Sequence, residues 1–469
     1  MERPFASITS DRDQQKAMRN AEDNTQSIIL SDWRHMTSEQ LWEAAKATGL
    51  DAYCANSLLI NGKGSVSCLS PDTINAFTSD EQKQVLNGSH LTDMGYVLFT
   101  YLWTLSTGAD NAYSCIPPTN MAAQGPYPHN FTNLPDGLFA GCTPTAGLEG
   151  KENILVYPSA DYVSWNLISA AGVAALLFSV DEHPMYVYAV DGRYIEPVLA
   201  HAVNLVPGRR LSVLVKLDKP PGHYTVRTAV SGINQILNTT AVMSYVNASG
   251  GIDEGTSTGY IDIAGQNTTA DVSVFDEKLA VPFPVEVPAQ TADQTFVLEI
   301  ERFGNTSYTW TLGNTSFPLA LEEAAPLLFF PDSDVANSGR AIQTKNGSWV
   351  DLIFHVTTPI QPDHPIHKHS NKFFLVGYGQ GLWNYSSVSE AVTYIPQSFN
   401  FNTPPILDTI STLPASTGPT WMAIRYQVNN PGAFLIHCHI QVHTSGGMAL
   451  AILDGIDAWP EVPAEYRLS

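Results

Sequence analysis

The chain reads as an all-β protein built from two β-sandwich domains, and three observations predict this. Short runs rich in Val, Thr, Tyr and Phe recur along it, bounded by Gly, Pro and Asn turns. Gly and Pro number 33 and 31 among 469 residues, which suits many short strands better than long helices. Hydrophobic residues make up 44% and charged residues 14%, enough apolar material for large buried cores. Length alone, at roughly 150 residues per domain, suggests three domains. The strand-rich stretches fall into only two groups.

In chain order, residues 1–27 are polar and charged and are expected to form a linker or a surface helix. Ile28-Ile29-Leu30 leads as a strand into Ser31-Asp32-Trp33. Thr37-Ser38-Glu39-Gln40 opens a helix to Ala47, with Thr37 or Ser38 as its cap. Asn61-Gly62 marks a turn after Leu58-Leu59-Ile60. Strands are predicted at Ile154–Tyr157, Val163–Ile168, Ala175–Val180, Met185–Val190, Leu211–Leu217 and Tyr224–Val230, with turns at Asp191-Gly192 and Pro221-Gly222. That spacing is the pattern of a sandwich or barrel. A Ser/Thr/Gly/Asn-rich tract over Asn247–Thr269 reads as a long connection. A second set of strands follows at Phe296–Ile300, Leu352–Val356, Phe373–Val376, Met422–Val428 and Phe434–Ile440, the last launched by Asn429-Asn430-Pro431-Gly432. The expected domains are 28–250 and 286–469, joined by a linker at 251–285.

One segment breaks the pattern. Tyr96–Ser114 opens with an uncharged aromatic run between polar neighbours. It is too short to span a membrane, which takes about 20 apolar residues. Excising it joins Met94-Gly95 to Cys115-Ile116-Pro117 in frame, so it is expected to be a translated, retained intron. The alternative is an ordinary loop with a buried apolar tip.

A net charge of −22 and a pI near 4.8 make nucleic acid or an anionic membrane a poor match as a partner, and neither is expected. Nine Asn-x-Ser/Thr triplets, at Asn87, Asn130, Asn238, Asn247, Asn267, Asn305, Asn314, Asn346 and Asn384, point to a secreted glycoprotein. Cys54, Cys68, Cys115 and Cys142 cluster early and are candidates for disulfides in an oxidising compartment, their pairing open. The N-terminal residues carry no basic or apolar signal region, so the natural protein is expected to start upstream.

Chemistry concentrates near the C-terminus. Cys438 stands between His437 and His439, with His443 and Met448 following; upstream lie His364, His367 and His369 around Pro365-Ile366. In a strand, side chains alternate faces. His437 and His439 therefore point one way and Cys438 the other, so one strand can serve two metal centres. His367 and His369 repeat the same period of two. Thiolate, imidazole and a weak thioether favour copper over zinc, calcium or magnesium. A zinc site here would want Cys-x2-Cys spacing, and the chain has none. His35, His90, His129, His183, His201, His223 and His355 are isolated and read as structural or surface residues.

HPIHKH followed by HCHIQVHTSGGM resembles the C-terminal pair of copper motifs of the multicopper oxidases, the family of laccases, ascorbate oxidases and ferroxidases. Ser31-Asp32-Trp33, Leu59–Gly64 and, more weakly, Tyr188–Gly192 are similar to fungal laccases, especially the ascomycete enzymes of conidial pigment. The resemblance implies tandem cupredoxin-like Greek-key β-sandwich domains, two of the family's usual three. Residues 1–27 would be the remnant of the joint to the absent first domain. It assigns His364, Cys438, His443 and axial Met448 to type 1 copper, His367 to type 2 copper, and His369, His437 and His439 to the type 3 pair. Cys438, His437 and His439 would form the electron path. A thioether at Met448, where many laccases carry Leu or Phe, implies a lower potential. Ser370 stands where the family often has Gly. The family holds its trinuclear cluster with eight histidines, and the four expected from two further His-x-His motifs are absent from this sequence. The expected activity is one-electron oxidation of a phenolic or other small reducing substrate, possible pigment precursors included, with dioxygen reduced to water. The alternatives are a type 1 electron-transfer protein, an inactive truncated product, or an ascorbate oxidase or ferroxidase. The expected location is extracellular or in the cell wall, with no membrane partner.

Overall fold

The computed structural model describes residues 3–66, 68–91, 114–135, 138–139, 144, 150–246, 257–317, 326–330, 338–358, 361–461 and 463–466. Of the aromatic segment Tyr96–Ser114, all but Ser114 lies outside them, as do Cys142 and Asn247. The chain forms two compact units. The first comprises Met1–Thr48, Ala52–Gln124 and Phe131–Glu277; the second comprises Gly49–Asp51, Gly125–Asn130 and Lys278–Ser469.

The strands of the first unit are β1 (Gln26–Trp33), β2 (Ser57–Ile60), β3 (Asn153–Val156), β4 (Tyr162–Ser169), β5 (Ala175–Val180), β6 (Met185–Val190), β7 (Arg193–Ala200), β8 (Ala202–Leu205), β9 (Arg210–Lys216), β10 (His223–Ser231), β11 (Asn238–Tyr245) and β12 (Val274–Phe275). They make two six-stranded sheets, ordered β2-β1-β4-β9-β6-β7 and β12-β8-β5-β10-β11-β3. Alternation builds the core between them: on β4 Trp165 and Leu167 are buried while Asn166 and Ile168 are only half so. Trp165 meets Phe178 of β5 edge-on, ring centroids 6.5 Å apart. The helix Ser38–Thr48 begins where expected: Thr37 Oγ1 accepts from Gln40 N–H and Gln40 Oε1 from Thr37 N–H, a reciprocal capping box.

Within residues 1–27 the surface-helix alternative occurs, and part of the expected linker 251–285 belongs to this unit. Within residues 1–27, Arg12–Asp23 is a helix capped by Asp11, whose carboxylate accepts from Asp13 N–H at 2.8 Å. Its Met18 and Ala21 pack with Phe5 against Tyr162, Tyr188 and Leu214. The polar composition that suggested a linker belongs to the exposed face of an amphipathic helix. Within 251–285, residues 257–277 return to the sandwich. Ile261 is buried with Leu177, Ala202 and Ala229, Ser257 Oγ donates to Asp181, and β12 pairs parallel with β8. A disulfide joins Cys54 to Cys115, and Cys68 is also disulfide-bonded.

The second unit contains β13 (Gln294–Ile300), β14 (Ala341–Gln343), β15 (Trp349–Val356), β16 (Pro365–Lys368), β17 (Phe373–Gln380), β18 (Ile406–Leu407), β19 (Thr409–Ser411), β20 (Thr420–Gln427), β21 (Gly432–Cys438) and β22 (Ala449–Asp454). Its two five-stranded sheets run β13-β15-β20-β17-β18 and β14-β22-β21-β16-β19. Buried Arg425 grips Asp351 through two bonds of 2.6 and 2.8 Å across the β15–β20 pair, geometry that suits a guanidinium and a carboxylate in a core. The last predicted strand stops at Cys438 rather than Ile440, because Ile440 already caps the short helix Gln441–Ser445.

Since Met18 is fully buried, Met18→Ala is expected to lower stability by about 2–5 kcal/mol. Denaturant unfolding checks this; a change near zero would restore the linker reading.

Candidate metal centre

The site is assembled by β16 and β21, which pair antiparallel with Ile366 opposite Cys438, His367 opposite His437 and Lys368 opposite Ile436. This register stacks the two histidine motifs and sends alternate residues to opposite faces. Cys438 and Lys368 are buried, whereas His367 and His437 are partly open. Lys368 is anchored on the inner side, 3.5 Å from Asp454 Oδ2 and 3.9 Å above the ring of Tyr426. Tyr426 O–H and Thr344 O–H both donate to Asp454 Oδ1. Burial pushes Lys368 down to about 8.

On the inner face, His364, Cys438 and His443 are all buried and bring one donor atom each within 4.8 Å of one another. His364 Nδ1 and His443 Nδ1 lie 3.2 Å apart, and Cys438 Sγ is 3.7 Å from His443 Nδ1. The opposite ring atoms are engaged by acceptors: His364 Nε2 faces Gln361 Oε1 at 3.2 Å, and His443 Nε2 faces Asp51 Oδ2 at 3.1 Å. Those acceptors hold the proton on Nε2, so each Nδ1 turns a lone pair toward the other and toward the sulfur. Two lone pairs and a thiol converging in an apolar setting fit a soft metal ion. Burial above all pushes the Cys438 thiol up, with Asp363 and Asp51 adding to it, and burial together with His443 and Arg302 holds His364 well down. Neutral imidazole is what binding requires, while the thiol must release its proton to solvent as a metal binds.

Local chain geometry places these groups. After the helix Gln441–Ser445 carries His443, the chain reverses through Gly446-Gly447 to Met448, which is fully buried. Gly447 sits at φ +93, and a Cβ there would collide with Ser316 and Phe317. Cys438 N–H then donates to Met448 O at 3.0 Å. Asp51 is presented by Gly49, at φ +72, whose carbonyl accepts from Ser307 O–H at 2.5 Å. Trp310 packs against both inner imidazoles, 4.6 Å from His443 and 5.1 Å from His364 between ring centroids. Its indole N–H is buried with no hydrogen-bond partner among the described residues, a cost of about 1–3 kcal/mol.

The outer face gathers His367, His369, His437 and His439. Ring centroids lie 5.2 Å apart for His367–His369, 5.3 Å for His369–His437, 5.6 Å for His437–His439 and 5.9 Å for His367–His439. His367 Nδ1 faces Asp408 O and Thr409 Oγ1, both at 3.0 Å, and His437 Nδ1 faces Cys438 O at 2.8 Å. Both rings are thus oriented with Nε2 outward, and His437 Nε2 reaches within 3.2 Å of His369 Nε2. Burial, reinforced by the neighbouring histidines, holds His367 and His437 at about 4.

Two family profiles described as multicopper oxidase match residues 138–248 and 294–457. The chain belongs to the multicopper oxidase family. It is 41% identical over 468 residues to laccase abr2 of Aspergillus fumigatus, covering 98% of this chain and 75% of that one. It is 38% identical over 474 residues to multicopper oxidase MCE of Talaromyces pinophilus, covering 99% and 74%. Among solved structures, the laccase from Botrytis aclada matches with a TM-score of 0.61 at 19% identity, over 92% of this chain but only 64% of that one. That likeness is one of fold. Copper is the family's cofactor, and the two units are tandem cupredoxin-like sandwiches.

Every ligand candidate expected from the sequence of this multicopper oxidase lies at one of the two faces or, for Met448, buried beside the inner one. Asp51, Gln361, Trp310, Asp408 and Thr409 were not foreseen. Asp51 lies 392 residues from His443, and no spacing rule links such positions. His183 and His355, read as structural, are indeed buried and engaged by Tyr245 and Glu299.

A pH dependence follows from the outer face. Folding keeps His367 and His437 neutral down to about 4, whereas an unfolded histidine takes up its proton near 6.5. Between these values the unfolded chain binds more protons, so stability of the metal-free protein falls as pH drops from 6.5 toward 4. Thermal denaturation across that range should show the loss, flattened in a His367→Asn/His437→Asn double variant; a flat wild-type profile would contradict it.

Proposed function

We propose that this chain is the electron-accepting portion of a laccase-like oxidase that takes single electrons from phenolic or similar small reducing substrates and passes them to dioxygen. The observation that carries the reading is the convergence of His364 Nδ1, His443 Nδ1 and Cys438 Sγ, each imidazole backed by an acceptor at Nε2. His364, Cys438 and His443 would hold type 1 copper, with Met448 as a further, weak donor; His367 would serve type 2 copper, and His369, His437 and His439 the type 3 pair. Bound copper supplies one-electron acceptance at the inner face and oxygen chemistry at the outer one.

The chain's own groups prepare these sites. Asp51 and Gln361 fix the protonated edge of the two inner imidazoles, and the apolar surroundings exclude water from the sulfur. Cys438 is joined to His437 and His439 by peptide bonds, and His437 Nδ1–H donates back to the Cys438 carbonyl at 2.8 Å. The shortest covalent connection between the two faces therefore runs through one residue.

A second reading has its own support. His-x-His occurs only at 367–369 and 437–439, so this chain by itself brings four imidazoles to the outer face. Standing alone, it is an electron-transfer protein with an intact type 1 site. The Cys54–Cys115 disulfide supports a secreted, oxidising location for either reading. No helix of the described residues is long and apolar enough to cross a membrane. A role in pigment formation rests on the kinship with fungal laccases.

Copper-loaded protein should turn blue and Cys438→Ser should stay colourless; equal colour in both would refute the thiolate assignment. Oxygen uptake with a phenol separates the two readings. The 469-residue chain on its own is expected to show none, and turnover at an ordinary oxidase rate would overturn the electron-transfer reading.

A further inference from the structure

The inner face carries a fixed positive charge that no ligand role accounts for. Residues 302 and 310 form an antiparallel bridge in the second unit. This pairing lays the Arg302 guanidinium over the Trp310 indole, 4.9 Å from the ring centroid. Tyr127 flanks the same guanidinium at 6.0 Å, and Arg302 Nε–H donates to Ser307 O at 3.2 Å. The indole in turn packs on both inner imidazoles at 4.6 and 5.1 Å. Arg302 is thus two ring contacts away from two of the three converging donors. The fold holds this ring in place although its indole Nε1–H has no partner among the described residues, and the Trp310 backbone N–H ties the residue to the loop after His443 by donating to Gly446 O at 2.9 Å.

Two carboxylates bring negative charge to the same donors, while Lys368, the other inner cation described, is met by Asp454. Asp51 touches His443 Nε2 at 3.1 Å, and Asp51 and Asp363 both act on the Cys438 sulfur. A carboxylate near the metal favours the more positive, oxidised ion, and so does a thioether such as Met448. A guanidinium favours the reduced ion, which carries one positive charge fewer.

We propose that Arg302, seated on Trp310, raises the reduction potential of the inner copper site against the opposing pull of Asp51, Asp363 and Met448. Neither Arg302 nor Trp310 touches the reacting atoms, so both are positioning residues. The proposal rests on the type 1 assignment above. A unit charge at such a separation in a partly buried setting changes a one-electron equilibrium by about tenfold, which corresponds to about 59 mV.

The test is a spectroelectrochemical titration of the blue band in the copper-loaded full chain. Arg302→Met should shift the oxidised-to-reduced ratio at fixed potential about tenfold toward the oxidised form. Arg302→Gln is a second neutral variant should Met fail to fold. Arg302→Lys should remain near wild type, and Asp51→Asn should move the ratio the opposite way. An unchanged ratio in both neutral variants, or a Lys variant that moves as far as they do, would overturn the proposal while leaving the site intact. A wild-type chain that never turns blue with copper would instead sink the type 1 assignment itself.

Discussion

The antiparallel pairing of β16 with β21 is the constraint on which the rest of this protein depends. One register places Ile366 opposite Cys438 and His367 opposite His437. Because side chains alternate along a strand, that register divides the donor side chains between two faces without any further device. A slip by one residue would turn the thiol outward and the imidazoles into the core. The register is held from the inner side by apolar burial and by Lys368, whose charge is met by Asp454 and whose ammonium rests on Tyr426.

The two faces differ in what surrounds them, and this sets their chemistry. The inner donors are buried, so the metal-free protein keeps a protonated Cys438 thiol and a neutral His364 imidazole. Their rings cannot turn, since each Nε2 is engaged, by Gln361 for His364 and by Asp51 for His443. The outer imidazoles are only partly shielded and are oriented by backbone carbonyls and Thr409. The inner face is a buried cluster of donors; the outer face is an array of imidazole rings on a more open surface.

Much of this was legible in the chain. Most predicted strands occur within a residue or two of their expected ends, because turn chemistry and alternation are local properties. The packing of residues 12–23 and 257–277 into a core was not legible, for one reason. Polar composition describes the exposed side of an element and is silent about a few residues, such as Met18 and Ile261, that anchor it in a core.

The sequence by itself determined the set of candidate donors. Cys438 between two histidines, and His364, His367 and His369 upstream, specify donor types and alternation, both written into adjacent positions. Only the tertiary structure decided what those donors feel. Asp51, Trp310 and Arg302 reach the inner face from segments remote in the chain, brought there by backbone reversal at Gly49 and by the bridge between residues 302 and 310. Metal identity follows from which atoms coordinate, a short-range matter. Potential, tautomer and hydration follow from charges and surfaces assembled across the whole fold, and no local pattern encodes them.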